Sequence, residues 1–370
     1  MSGLYIHVPF CTSRCIYCGF YSTTQLDMRN SYVDAICHEM ELRQDEMTSI
    51  NTIYIGGGTP SVLTGSMLTK IFSYIDCKNA VEITMECNPD DITDGFVDTL
   101  RQLPINRVSL GIQTFNDKRL SFLRRRHNSI EIQAAIDRLR NTGITNISID
   151  LMFGFPGQDI TDWERDICKA IELNIEHISA YNLMFEEGTT LYNMLKNAEL
   201  KEIDEETSRS MYELLIERLT SAGYEHYEIS NFSKPGHRSI HNSSYWLGTP
   251  YVGIGAASHS YNGTSRQWNI DDLNTYISAI KADEVPYEME SLDINTQYND
   301  MVMLRLRTRE GIPLDLLEEK FGKEKLKYCL DIAKNYIRQR LIEITSDNHL
   351  KLTHNGLFIS DMIMSDMMIV

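Results

Sequence analysis

Three cysteines lie within eight residues near the start of the chain, at Cys11, Cys15 and Cys18. They follow the apolar, strand-like segment 4–8, so we expect them on a loop at the end of a strand. An iron–sulfur cube usually takes four thiolates, so three cysteines on one loop hold three irons and leave the fourth iron open to another ligand. A metal centre with an open coordination position is built to react. The spacing C-x3-C-x2-C therefore predicts a reactive [4Fe–4S] cluster.

Two other interpretations of the cysteines compete with the cluster. A structural zinc site could use the same three residues with His7 or a distant ligand, and short cysteine runs form disulfides in small secreted domains. The cluster is favoured because the chain has 370 residues and only 8 cysteines. The other five lie in apolar or helical patterns and are predicted to be packing residues: Cys37, Cys77, Cys87, Cys168 and Cys329.

Length and composition limit the possible architecture and the cellular compartment of the protein. With 370 residues, 42% of them hydrophobic, the chain can form one large domain and a small one. The first residues show no basic flank followed by a long apolar run, and no stretch is long and apolar enough to span a bilayer. We therefore expect a cytoplasmic protein that is not integral to a membrane.

The charge balance excludes one class of partner. A formal net charge of -17 repels phosphodiester backbones and anionic lipid surfaces unless a local basic patch overrides it. Nucleic acid is therefore not an expected partner. One dense basic run, residues 124–127, follows an apolar helical pattern. It is either a solvated helix end or a site for one anionic group.

Six short apolar runs recur along the chain with helical patterns between them: 4–8, 52–55, 81–85, 107–112, 147–152 and 177–182. Such an alternation suits parallel strands joined by helices, in a sheet that is either open and doubly wound or closing toward a barrel. A reactive or polar group follows each run, as in (β/α) barrels, whose catalytic groups collect at the carboxyl ends of the strands. We therefore predict an α/β fold built on a partial (β/α)6 TIM-like barrel.

The pattern changes after residue 190, where 203–204 reads as a helix start. Residues 1–235 are predicted to form the core domain, and residues 236–290 a connecting segment. Residues 291–370 are predicted to form a small C-terminal helical domain of winged-helix-like type. The reason is that helical patterns with breaks at 311–313 and 321–322 precede an expected hairpin at 341–344 and 350–353.

A cluster with one open iron needs a partner that chelates the metal and accepts an electron. S-adenosylmethionine (SAM) offers an amino group and a carboxylate for chelation and a sulfonium bond that one electron can cleave. Gly57 and Gly58 permit close backbone approach to such a ligand. Polar groups suited to its ribose, ammonium and carboxylate follow the other strands: Thr59, Glu86, Gln113, Arg125 and Asp150. Each alone could be a tight connection or a helix cap, but their joint order favours the ligand.

Five motifs, taken in order, resemble those of the radical SAM enzymes of the oxygen-independent coproporphyrinogen III oxidase superfamily. They are YIHVPFC at 5–11 with the two further cysteines, GGGTP at 56–60, ECNP at 86–89, SLGIQ at 109–113 and DLMFG at 150–154. The resemblance runs from Tyr5 to His259. It implies that the cysteine triad ligates the cluster and that eight positions contact SAM: Tyr5, Gly57, Gly58, Thr59, Glu86, Gln113, Arg125 and Asp150.

Two departures from the oxidases bear on the substrate. The oxidases have a longer segment ahead of the first motif and a fourth cysteine two residues beyond the third, a position that is Phe20 here. The heme-chaperone branch of the superfamily shares the triad followed by an aromatic residue, and it carries an HNxxYW signature that residues 241–246 match in full. The chain resembles that branch most, which implies heme as a ligand.

A physical argument also supports heme contact at residues 241–246. Histidine and tyrosine are both axial ligands of heme iron, and in a helix His241 and Tyr245 share one face. Trp246 offers a flat surface for a macrocycle. These three residues are therefore predicted to contact heme. The alternative is a packed connection between the barrel and the C-terminal part, in which His241 is merely hydrogen-bonded.

The sequence thus predicts a heme chaperone that binds heme, a [4Fe–4S] cluster and exchangeable SAM, and delivers heme to an acceptor haemoprotein. A flavodoxin or ferredoxin reductant is implied if the cluster cycles. The first alternative is a radical SAM oxidoreductase acting on a tetrapyrrole, like a coproporphyrinogen III dehydrogenase, with radical methylation and heme ring opening as a variant. Phe20 and the short N-terminal segment argue against oxidase activity, while cleavage of SAM remains compatible. The second alternative is a non-redox zinc or scaffold protein.

Overall fold

A computed structural model describes residues 2–369. The strands in this range are β1 Ser2–Val8, β2 Ile50–Gly57, β3 Glu82–Cys87, β4 Arg107–Gln113, β5 Asn146–Phe153, β6 His177–Asn182, β7 Glu225–Glu228, β8 Asn231–Ser233, β9 Tyr251–Ile254, β10 His259–Tyr261, β11 Ser265–Asn269, β12 Tyr287–Ser291, β13 Ile312–Pro313, β14 Ile342–Ile344 and β15 His349–Leu352. Twelve of them form one sheet in the order β12-β11-β10-β9-β1-β2-β3-β4-β5-β6-β8-β7.

The α-helices pack against this sheet and build the C-terminal part. They are α1 Arg29–Leu42, α2 Gly65–Phe72, α3 Asp94–Leu100, α4 Asp117–Phe122, α5 Ser129–Arg140, α6 Ile160–Glu172, α7 Thr190–Lys196, α8 Glu205–Ser221, α9 Ile240–Trp246, α10 Leu273–Lys281, α11 Ile294–Leu306, α12 Leu314–Arg338, α13 His354–Leu357 and α14 Ser360–Met367. Capping side chains set several starts: Asp204 accepts a hydrogen bond from Thr207 N at 2.8 Å, where a helix start is predicted.

Strands β1 to β6 run parallel, and each pairs with the next. Alternate residues of a strand face opposite sides of the sheet. In β1, Leu4 and Ile6 face the helices and are fully buried, whereas Tyr5 and His7 lie on the other side, which we call the inner face. The helix-facing side chains drive folding by apolar burial. The predicted α/β fold with parallel strands is confirmed, and all six predicted runs are strands.

The sheet extends beyond the six parallel strands on both sides. β9 pairs with β1 in parallel, and β10, β11 and β12 add antiparallel strands beyond it. On the other side β8 and β7 follow β6, also antiparallel. Residues 251–291 therefore belong to the main sheet. The division of the chain at 235 and 290 stays a prediction.

The C-terminal part has its own buried cluster, formed by α11 to α14 around residues such as Tyr298, Val302 and Leu350. A three-stranded sheet in the order β13-β15-β14 accompanies these helices. The predicted hairpin is confirmed, since β14 and β15 pair antiparallel. The predicted break at 321–322 is a kink within α12, where Gly322 has a φ of 83°. A small helical part with a β-hairpin is therefore confirmed.

The five cysteines outside the triad do not all pack in the interior. Cys37, Cys87 and Cys329 are buried, and Cys77 is half-buried. The prediction is wrong for Cys168, which is exposed. It follows Asp166 and Ile167, whose side chains are on the buried side of α6, and a helix turns about 100° per residue, so Cys168 comes round to the solvent. None of the helices in residues 2–369 combines the length and apolar composition that a bilayer crossing needs.

Candidate functional site

A cavity of about 480 Å³ lies at the carboxyl ends of the parallel strands, within the range of about 300–1,000 Å³ that is usual for small-ligand pockets. The three cysteines of the triad line it, together with seven of the eight positions predicted to contact SAM: Gly57, Gly58, Thr59, Glu86, Gln113, Arg125 and Asp150. Tyr5 is not among the lining residues. It lies lower on the inner face, where its hydroxyl is 3.0 Å from His7 Nδ1. The cavity thus joins groups from the ends of strands β2 to β6 to the cysteine loop.

The cysteine loop is held at its base by backbone hydrogen bonds. Thr23 N donates to Pro9 O at 2.7 Å, and Cys11 N donates to Thr23 O at 2.9 Å. All three cysteines of the loop are half-buried and free. Two of their sulfurs have polar neighbours, because Cys11 Sγ lies 3.5 Å from Thr59 Oγ1 and Cys15 Sγ lies 3.5 Å from Arg125 Nη1. Three free cysteines that line one cavity, two of them with donors beside their sulfurs, fit thiolate ligation of a cluster.

The glycines after β2 let two chain segments approach each other closely. Gly57 has a φ of +111°, and a Cβ on it would lie 2.6 Å from the ring of His7. A Cβ on Gly58 would lie 2.8 Å from backbone atoms of Pro9 and Phe10, and Gly58 N donates to Val8 O at 2.8 Å. The turn therefore clamps the end of β1, which carries the cysteine loop, against the strand beside it.

Two half-buried carboxyls, Glu86 and Asp150, form the floor of the cavity. Glu86 accepts from Tyr54 Oη at 2.8 Å and from Gly57 N at 3.1 Å. Burial raises the pKa of Glu86 to about 7, with a contribution from the charge of Asp150. Burial also raises the pKa of Asp150 to about 6, and Ser109 Oγ lies 3.5 Å from its carboxyl. Two carboxyls whose charge burial disfavours are suited to a cationic ligand that restores the charged form.

Arg125 is the cation of the cavity wall. Its guanidinium contacts Asn88 Oδ1 and Gly111 O. Its buried Nε has no hydrogen-bond partner in the described part of the chain. A guanidinium that lines the cavity and has an unsatisfied N–H fits an anionic group of a ligand, such as the SAM carboxylate. Of the two interpretations of the basic run, the anionic-group site is therefore favoured for Arg125, while the neighbouring Arg126 pairs with Asp90 at 2.9 Å.

Sequence reasoning gave no role to several lining residues. Asn88 connects two predicted contacts, since its Nδ2 donates to Thr59 Oγ1 at 3.3 Å and its Oδ1 accepts from Arg125. Its position directly after β3 is the signal that could have identified it. Phe20, at the position of the fourth cysteine of the oxidases, is 72% exposed at the cavity. Other lining residues without a predicted role include Tyr17, Ser109, Met152, Tyr181 and Met184.

The HNxxYW segment forms α9 and lies at the opposite ends of the strands. The backbone N–H groups of Ile240 and His241 donate to the carboxylate of Glu82, the first residue of β3, at 2.9 and 2.8 Å. The His241 ring is fully buried, and its two nitrogens lie 2.9 Å from Thr52 Oγ1 and 2.8 Å from Tyr245 Oη. Burial lowers the pKa of His241 to about 3. The ring is therefore neutral at pH 7 and engaged on both sides.

The two aromatic residues of the segment differ in their surroundings. Tyr245 is half-buried, and its ring packs edge-on against Tyr251 with centroids 4.7 Å apart. The guanidinium of Arg307 lies 4.1 Å from the ring centre of Trp246. His241 and Tyr245 share one helical face, as expected. Heme contact by His241, Tyr245 and Trp246 stays a prediction, and iron ligation by His241 would require the bond to Tyr245 to open.

Parallel strands with a cysteine-lined cavity at their carboxyl ends define a radical SAM protein, and comparison with known families agrees. The Radical SAM superfamily matches residues 5–168, and the HemN C-terminal domain matches residues 292–359. Radical SAM proteins hold a [4Fe–4S] cluster and SAM. The chain is 33% identical to the heme chaperone HemW of Lactococcus lactis over 92% of this chain and 90% of that protein. It is also 33% identical to the heme chaperone HemW of Bacillus subtilis, over 96% of each. The chain belongs to the HemW family.

One solved structure is similar along the whole chain. Coproporphyrinogen III oxidase (HemN) from Escherichia coli, described as a radical SAM enzyme, matches with a TM-score of 0.85 over 99% of this chain and 89% of that chain. The sequence identity is 21%. Because proteins of one fold host different chemistry, this likeness shows the fold alone.

Proposed function

We propose that the protein is a heme chaperone that binds heme and passes it to an acceptor haemoprotein. The observation that carries the proposal is the 33% identity to proteins named heme chaperone HemW over more than nine-tenths of the chain. Phe20 supports it, because an aromatic residue occupies the position of a cysteine in the oxidases. Eight free cysteines support a reducing compartment such as the cytoplasm.

In this proposal the cavity holds the cluster and SAM. Cys11, Cys15 and Cys18 would bind three irons and leave one iron to the amino and carboxylate groups of SAM. The cluster, when bound, supplies an electron to the sulfonium. Arg125, the cation of the cavity wall, pairs with the SAM carboxylate. Glu86 and Asp150 accept hydrogen bonds from the ribose or ammonium, and the bound cation restores their charge.

Heme contact is proposed at α9. Tyr245 and Trp246 offer aromatic surface that is half-buried rather than sealed, and His241 holds the Tyr245 hydroxyl in place through their 2.8 Å contact. His241 is therefore proposed as a positioning residue at this segment. A flavodoxin or ferredoxin is the proposed reductant if the cluster cycles.

A heme titration of the full chain, reconstituted with iron and sulfide under anaerobic conditions, tests the proposal. We expect a saturable Soret band and no release of carbon dioxide from coproporphyrinogen in the presence of SAM and a strong reductant. Binding of hemin by Cys15→Ser in parallel shows whether heme binding depends on the cluster. Protein that carries its cluster but binds no heme contradicts the chaperone. Carbon dioxide release would instead identify an oxidase.

A further inference from the structure

Besides His7, a second histidine lies on the inner face of the sheet, and its ring is exposed. His259 is the first residue of β10 and pairs across to Trp268 of β11. Their ring centroids are 6.1 Å apart, with 29° between the planes. Neither ring nitrogen of His259 has a hydrogen-bond partner within residues 2–369. An exposed, unpartnered imidazole beside a large flat ring is a candidate metal ligand.

The register of the strands places His259 on the inner face of the sheet, on the same side as Tyr5 and His7. Tyr251 of β9 flanks β1 on the inner face, and it pairs with Tyr261 of β10. His259 is two residues before Tyr261 and so points to the same side. The intervening Ser260 points to the helix side, where its hydroxyl accepts from Arg43 at 3.1 Å.

Aromatic rings connect this face to α9. The centroids of Tyr245 and Tyr251 are 4.7 Å apart, and those of Tyr251 and Tyr261 are 6.4 Å apart. We call the set Tyr245, Tyr251, Tyr261, His259 and Trp268 the aromatic face. It begins at the helix for which heme contact is proposed and ends at an exposed histidine. A porphyrin is a flat apolar ring of the kind that such a face can bury.

A glycine fixes the position of the histidine above β9. A Cβ on Gly253 would lie 2.1 Å from the carbonyl oxygen of His259. The backbone of β10 therefore crosses directly over Gly253, which only glycine permits. His259 also lies close enough to His7 for its charge to add to the lowering of the His7 pKa, which burial brings to about 4.

We propose that His259 is an axial ligand of heme iron and that the porphyrin rests on the aromatic face. This inference rests on the proposed function and supplies the ligand that α9 does not offer, since both nitrogens of His241 are engaged. Partial desolvation lowers the pKa of the exposed His259, and the charge of Arg266 adds to the effect. The imidazole therefore keeps a free lone pair at pH 7, which iron ligation requires.

Charges on the neighbouring strands limit how heme can lie. Arg266 shares the inner face but is paired with Asp300 at 2.5 Å and with Glu290 at 3.5 Å. Glu288 pairs across from Trp268. These carboxylates repel heme propionates, so we expect the propionates to point away from β11 and β12. Affinity then comes from iron ligation and apolar contact with the aromatic face, which suits a protein that must release its cargo.

The test compares hemin with metal-free protoporphyrin IX on the cluster-reconstituted full chain. We expect His259→Ala to weaken hemin binding about tenfold and to change the Soret position and the electron paramagnetic resonance of the iron. Binding of protoporphyrin IX, which has no iron to ligate, should stay at the wild-type level. Added imidazole should restore the hemin spectrum of His259→Ala. The control is His354→Ala, at an exposed histidine of the C-terminal part.

The outcomes separate this inference from the proposed function. If His259→Ala binds hemin with wild-type affinity and spectrum, the assignment of His259 as iron ligand is overturned, while the proposed heme-chaperone function is unaffected. Equal losses with hemin and protoporphyrin IX, without rescue by imidazole, reveal a structural role and also overturn it. If the iron spectrum changes in His241→Gln but not in His259→Ala, the iron ligand belongs to α9 and the assignment of His259 is wrong. Wild-type protein that binds neither porphyrin ends the proposed function and this inference together.

Discussion

The cysteine-lined cavity and α9 lie at opposite ends of the same parallel strands, and the surroundings of their polar side chains differ. In the cavity, groups from several strand ends and the guanidinium of Arg125 face a common space. At α9, His241 is fully buried and bonded on both sides. The cavity therefore keeps its polar groups open to a ligand, whereas at α9 the histidine is engaged and the neighbouring aromatic rings are half-buried.

The largest effect that separates the two ends should come from the triad. Cys15→Ser removes one of three thiolates from the loop, so we expect the cluster to be lost while the fold is retained. Iron and sulfide analysis should fall from about four of each per chain to near zero. Cys168→Ser, at an exposed cysteine on α6, is the matched control and should keep the cluster. A cluster that survives Cys15→Ser would refute the ligand assignment.

The next largest effect should come from Gly58, in the glycine turn after β2 that holds the end of β1 and the cysteine loop in place. A Cβ at Gly58 meets backbone atoms at 2.8 Å, so Gly58→Ala forces the end of β1 to shift. We expect a loss of about 1–3 kcal/mol in the free energy of unfolding and reduced cluster occupancy. Gly95→Ala, in α3 with nothing within 4 Å of the added Cβ, should be neutral or stabilising. Equal stability of the two variants by denaturant unfolding would show that the clamp is not needed.

The difference between the two ends also marks what sequence alone can predict. The parallel strands bring their carboxyl ends to one edge whatever the details of packing, so the order of polar groups after them sufficed to assemble the cavity. The role of Asn88 needed three-dimensional contacts, because its hydrogen bonds reach residues from two other connections.

Residues farther from the strand ends were harder to place. Tyr5 matches the family motif but lies two residues below His7, off the cavity lining. His259 was visible only as part of a glycine-rich run. Its exposure depends on β10 crossing over Gly253 and on its pairing with Trp268, and neither contact is written in the local pattern. Helical periodicity would have shown that Cys168 faces the solvent.

A smaller effect concerns the cavity floor. Folding raises the pKa of Glu86 from 4.5 to about 7. Below pH 4.5 the carboxyl is protonated in both the folded and the unfolded chain, so it does not lower the stability of the fold. Above pH 7 it is ionised in both, and there it lowers the stability most. Glu86→Gln removes that cost and should raise the stability of SAM-free protein at pH 8 by on the order of 1 kcal/mol. The same change should weaken SAM binding. Thermal melts at pH 8 and pH 4.5 check the first effect, and equilibrium dialysis with SAM checks the second.

Two outcomes would count against this view of the floor. Glu86→Gln that melts below wild type at pH 8 would mean that its hydrogen bonds to Tyr54 and Gly57 outweigh the burial of its charge. Unchanged SAM affinity would remove Glu86 from the binding site. Ser121→Ala, on the exposed face of α4, should change neither quantity and serves as the control.

The smallest effect is expected at α9, and its pH dependence runs the opposite way. The pKa of His241 is lowered by burial from 6.5 to about 3, so its contribution to stability is full above pH 6.5 and declines as the pH falls toward 3. His241→Gln keeps a donor and an acceptor but cannot take up a proton. We expect it to lose about 1 kcal/mol at pH 7.5, with the gap to wild type narrowing as the pH falls to 5. Denaturant melts across that range measure the gap, and the iron content should stay at the wild-type level. A gap that widens on acidification would show that His241 is not buried as a neutral ring, and the contrast between the two ends of the strands would then lose its physical basis.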